Sequence, residues 1–128
     1  MEARMAQIDV GARGERTLTV GEKAHTILLT NRALAEAERA LGKSVMQVAR
    51  DGISERVSIT DIAKLLQVGL DAARRDQGLP GRAMPPDDAW GILDVLGFGT
   101  VAGAVLEALS DVLFYNPERE REDGGPPA

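Results

Sequence analysis

Residues 16–44 read RTLTVGEKAHTILLTNRALAEAERALGKS, and this stretch decides the fold. From Arg16 the residues alternate with a period of two: Leu18 and Val20 fall on one side, Thr17 and Thr19 on the other, as in a strand. After the turn Val20-Gly21-Glu22-Lys23, His25, Ile27 and Leu29 alternate with Ala24, Thr26 and Leu28 in a second strand. The period then becomes helical. Thr30 or Asn31 can accept a hydrogen bond from the first free backbone N–H groups. Leu34, Ala37 and Leu41, flanked by Ala33 and Ala40, make the apolar face, Arg32 and Glu36 can pair at i,i+4, and Gly42 stops the helix. Two strands alone are marginal in water. One face of the hairpin must therefore lie on helices, or its edge must pair with another chain.

Downstream the pattern stays helical. Ser44 caps a short helix with Val45, Val48 and Ala49 inward, ending at Asp51-Gly52. A third helix starts at Ser58 or Thr60 and runs to about residue 76, with Ile59, Ile62, Ala63, Leu66, Leu70 and Ala73 as its stripe and Asp61, Lys64, Asp71 and Arg75 opposite. Gly69 inside it costs about 1 kcal/mol against alanine, which predicts close approach of another backbone there. GLPGRAMPP (78–86) is an irregular connection. Asp87 caps a fourth helix ending at Leu96, Gly97-Phe98-Gly99 breaks the chain, and Thr100 caps a fifth helix ending near Phe114. The expected architecture is α+β: an N-terminal β-hairpin followed by a mostly helical bundle of four to five helices. Residues 1–15 are expected to be a flexible lead-in in which Ile8 and Val10 could form a short extra strand, 16–115 a single domain, and 116–128, charged and then Gly/Pro-rich, a disordered tail.

At 128 residues the chain is long enough for a core. The apolar share is 44% but the aromatic share only 3%, so the core must be aliphatic. A net charge of −5 repels phosphate backbones as a whole. The absence of cysteine excludes disulfides, thiol catalysis and Cys-based zinc sites and suits a reducing cytoplasm. No apolar run reaches the length of a membrane span.

Nothing assembles a catalytic set, so the chain reads as a non-enzyme without metal or cofactor. His25, the only histidine, has no acidic partner at ligand spacing and reads as structural. Asp87-Asp88 suits a helix N-terminus for dipole reasons alone. Gly97-Phe98-Gly99 follows no strand, which a dinucleotide loop requires. The fifth helix is apolar over most of its circumference and is either central in the core or covered by a partner. Trp90 is a core residue or a partner anchor. Excess apolar residues in the C-terminal half make Trp90, Leu93, Phe98, Val105, Leu106, Leu109 and Leu113 the candidate partner-binding set. The alternative function is a small helix-turn-helix DNA-binding regulator using residues 58–75, since SITDIAKLLQVGLDAARR imitates that motif. Its apolar stripe passes through Gly69 in phase, however, which favours one continuous helix.

Arg13-Gly14-Glu15 before the first strand, Gly21 at the turn, Leu34 and Glu38 in the first helix, Leu41-Gly42-Lys43-Ser44 at its end and Gly69-Leu70 in the third helix occur in a telling order. With WGILDVLGFGTVAGAVLEAL, they give residues 13–115 a pattern that resembles the tail assembly chaperone-like proteins of long-tailed phages. The resemblance is to the branch in gene transfer agents and prophages labelled tail tube-associated. It departs at His25, where an aromatic residue is expected, and in the long 78–86 connection. The resemblance implies a cytoplasmic role in tail morphogenesis, in which the protein binds the tape measure protein, keeps it soluble and helps recruit tail tube subunits. A homo-oligomer through the hairpin edge is a further expected partnership.

Overall fold

The alternation in RGERTLTV and KAHTILLT folds as β1 (Arg13–Val20) and β2 (Lys23–Thr30), an antiparallel pair in which Val20 lies opposite Lys23 and Arg13 opposite Thr30. Gly21 closes the two-residue turn at φ +62°, a backbone that suits glycine at the first central position. The computed structural model describes residues 11–78 and 86–118. Expectations for residues 1–10, 79–85 and 119–128, and for Asp87 as a cap, fall outside the described residues. β1 starts at Arg13 rather than Arg16, because Gly14 opposite Leu29 extends the inward-facing row by one more pair.

Among the described residues five full helices follow: α1 (Asn31–Leu41), α2 (Val45–Ile53), α3 (Ile59–Asp76), α4 (Pro86–Leu96) and α5 (Phe98–Leu113). The fold is α+β, a hairpin followed by helices, as the periodicity predicts. The caps settle between the alternatives. Thr30 accepts from the Ala33 N–H at 3.1 Å, Ser44 from Gln47 at 3.1 Å and Ser58 from Asp61 at 3.1 Å. Gly42 ends α1 at φ +71°. The break before α5 is a single residue, Gly97 at φ +92°, so Phe98 rather than Val101 opens α5 and Thr100 lies inside the helix.

The hairpin lies on the helices by the face of Gly14, Leu18, Ile27 and Leu29, and Leu28 on the other face is buried as well. α3 packs along β2 and α5 along β1, with α4 against both helices. Ile27, Leu29, Ile62, Leu65, Leu66, Val101, Val105 and Leu109 are fully enclosed in the one aliphatic core. Each leucine or isoleucine so buried contributes about 1.5–3 kcal/mol before entropy is subtracted.

Two glycines are sites of close packing. A Cβ at Gly14 would collide with the Ala108 carbonyl oxygen, so β1 and α5 meet backbone to backbone there. At Gly69 the close neighbour is the Ile27 side chain rather than another backbone. The α3 stripe also differs from its reading. Ile59, at the first turn, is 49% exposed, while Leu65 and Ala72 are buried because α3 is enclosed on more than one side. Asp61 is buried because Lys43, just beyond the end of α1, donates to it at 2.9 Å. That hydrogen bond raises the Lys43 pKa. Glu36 pairs with Arg75 of α3 at 3.0 Å rather than with Arg32 of its own helix, so this contact joins α1 to α3.

α2 ends in a Schellman motif. Arg56 N–H donates to the Asp51 carbonyl at 2.7 Å and Glu55 N–H to Gly52 at 3.2 Å. The residue that must be left-handed is Glu55, at φ +60°, the one non-glycine with positive φ among the described residues. Glycine is the usual occupant of this position. Glu55→Gly is expected to raise stability by about 0.5–1 kcal/mol, since relief of the side-chain clash exceeds the added unfolded-state entropy. A denaturant midpoint equal to or below that of the parent protein would show that the backbone at Glu55 carries no strain.

Candidate binding surface

The candidate partner residues divide into two groups. Leu93, Val105 and Leu109 lie in the core, so a partner cannot reach them while the domain is folded. This corrects their assignment as contacts: α4 and α5 turn these side chains towards the hairpin and α3. Phe98, Leu106 and Leu113 are half-buried against the core, and Trp90 is 37% exposed. The fifth helix is thus mainly a core helix with one outward strip.

Periodicity alone missed part of the outer surface. Val95 is 65% exposed and Phe114 53%, although both fit an apolar pattern. Gly91, Gly99 and Gly103 have open space where a side chain would be, so the outer surfaces of α4 and α5 are low at these points, which lie among the exposed Asp94, Thr100 and Glu107. The signal was the glycine spacing, Gly91 one turn before Val95 and Gly99 one turn before Gly103, outside the buried stripe. No single helix among the described residues is long and apolar enough to cross a membrane. Asp88–Leu96 and Phe98–Leu113 meet that measure only as a pair bent by 117°.

Polar sites are few. His25 lies opposite Leu18 on the hairpin and lines a cavity of about 550 Å³ with Lys23, Arg74 and Asp88. No group of three His, Asp or Glu side chains among the described residues could hold a metal ion. The ion pairs join elements. Arg13 donates to Asp76 at 2.7 Å, and that hydrogen bond raises the Arg13 pKa. Burial would lower the Arg16 pKa, but Glu107 and Asp111 raise it above its usual value. The helix-turn-helix alternative fails on geometry: residues 59–76 form one unbroken helix, with no turn to set off a recognition helix. Arg75 at its end is engaged by Glu36 and Asp71.

The described residues form an α+β domain tied together by ion pairs, with Trp90 and Val95 exposed on α4. The chain belongs to the family described as phage tail tube protein, GTA-gp10, whose model matches residues 13–109. That span holds the hairpin, α1 to α4 and most of α5. A tail-related role in phages or gene transfer agents follows, and the printed description speaks of the tail tube rather than of a chaperone. No curated protein and no solved structure matches the chain significantly.

Proposed function

We propose that the protein acts in tail morphogenesis as a non-enzymatic assembly chaperone in the cytoplasm, binding the tape measure protein through the outer surface of α4 and α5. The observation that carries this reading is the exposure of Trp90 and Val95 beside open glycines on helices of the apolar C-terminal half. A helical client can lie close to a surface where glycine leaves room, and an aromatic anchor supplies much of the affinity. Phe98, Leu106 and Leu113 contribute their outer edges. The net charge of −5 keeps a covered apolar client in solution. Repeated copies along one long client gain avidity from weak single contacts.

The test is co-expression with a tape measure protein of a phage or gene transfer agent tail. Trp90→Glu with Val95→Glu should leave the fold unchanged, because both side chains are partly in water, and should cut recovery of the complex at least about tenfold, equivalent to ~1.4 kcal/mol. Undiminished capture would remove α4 and α5 as the client surface. The second reading, supported by the family description, is a structural subunit of the tail tube. Purified protein that assembles into rings or tubes without a client, seen by electron microscopy, would favour that reading over the chaperone.

A further inference from the structure

We infer that β1 is a docking edge for an extended segment of another protein, one carrying an apolar side chain flanked by basic ones. Among the described residues β1 has a strand neighbour on one side only. The two-residue turn between Val20 and Lys23 makes these a hydrogen-bonded pair, so Leu18, Arg16 and Gly14 also bond to β2. The backbone groups of Glu15, Thr17 and Thr19 then point away from β2, and the side chains of all three are exposed. These are the donors and acceptors a further strand would use.

Beside this edge lies a groove of about 310 Å³, bounded by Arg16 of β1, Gly52 and Ile53 of α2, and Leu106, Glu107 and Asp111 of α5. Ile53 is 80% exposed and stands over it. A strand paired with β1 would place the residues opposite Arg16 and Leu18 on the inner face, towards the groove, and those opposite Thr17 on the outer face. Its inner positions would therefore meet Ile53 and Leu106 as an apolar wall and floor. The neighbouring inner positions would meet carboxylates. Arg16 donates to Glu107 at 3.2 Å and lies 2.9 Å from Asp111, so one guanidinium faces two acids and the groove keeps an uncompensated negative charge. An apolar residue between lysines or arginines complements that arrangement. A second copy of this chain complements it less well, because antiparallel pairing of two β1 edges brings two such acidic grooves together. This groove shares Leu106 with the proposed client surface but neither Trp90 nor Val95, so the Trp90→Glu with Val95→Glu variant tests that surface alone.

The probe is a labelled synthetic peptide, acetyl-TKTVTKT-amide, whose inner positions read Lys-Val-Lys when it lies antiparallel to β1 with a threonine opposite Thr17. Fluorescence anisotropy should show saturable binding that exceeds an acidic control, acetyl-TETVTET-amide, at least about tenfold. Methylating the peptide's threonine nitrogens, which would face β1, should abolish binding, whereas methylating the valine and lysine nitrogens should not. On the protein, Ile53→Asp and Glu107→Lys should each weaken binding, with the denaturant midpoint as a check on folding, and the Thr17 and Thr19 amides should gain exchange protection with peptide bound. Equal binding of both peptides, or indifference to threonine N-methylation, would overturn the proposal. Sedimentation of the protein alone as a dimer, abolished by Thr17→Pro, would reassign the edge to a second copy.

Discussion

Leu109→Glu is expected to unfold the domain, whereas Leu106→Glu leaves it folded. Leu109 has no solvent exposure and sits where α5 enters the core, while Leu106 is half-buried beside the groove. Removing a buried leucine forfeits about 1.5–3 kcal/mol. An unpaired carboxylate in its place adds several kcal/mol, or binds a proton at the cost of stability. Together these approach the roughly 5–15 kcal/mol that holds an ordinary domain folded. Far-ultraviolet circular dichroism and a denaturant titration measure both variants. A cooperative transition for Leu109→Glu near the parent midpoint would mean that α5 is peripheral, and the division of the candidate residues into core and surface would fall with it.

Gly14→Val is the second large effect. The new Cβ would collide with the Ala108 carbonyl oxygen, so β1 and α5 must separate. Overpacking of this kind costs typically about 1–3 kcal/mol, and more where neither side can rotate away. Three glycines form an expected series. Gly14 meets backbone, Gly69 meets the enclosed Ile27 side chain, and Gly52 meets the methyl groups of half-buried Leu106. Alanine should therefore be worst at Gly14, intermediate at Gly69, where better helix propensity returns about 1 kcal/mol, and mildest at Gly52. Denaturant midpoints in any other order would show that the strand–helix contact at Gly14 yields more readily than its geometry indicates.

Both surfaces assigned to binding lie where local pattern and tertiary burial disagree. Val95 and Ile53 each extend an apolar helical pattern, yet each is largely exposed. Asp61 shows the converse, a charged residue drawn inside because Lys43 reaches it from beyond the end of α1. Val105 and Leu109 read equally well as core or interface, since a helix apolar on several sides looks the same in either place. A match in family, residues 13–109, agrees with the order of hairpin, capped helix and glycine stop, features that sit close together in the chain.

The local elements were legible because their causes are local. Alternation makes β1 and β2, Gly21 turns them, Thr30, Ser44 and Ser58 accept from nearby backbone N–H groups, and Gly42 ends α1 in a left-handed backbone. These interactions span a few residues and depend on residue type. The tertiary structure decided what distance along the chain conceals: that α5 lies against Gly14 of β1, that Arg16 reaches Glu107 and Asp111, and that a groove at Ile53 lies beside the edge of β1 that no described strand pairs with. Periodicity states which residues share a side of a helix or strand. Which side is covered, and by what, depends on elements brought together from far apart.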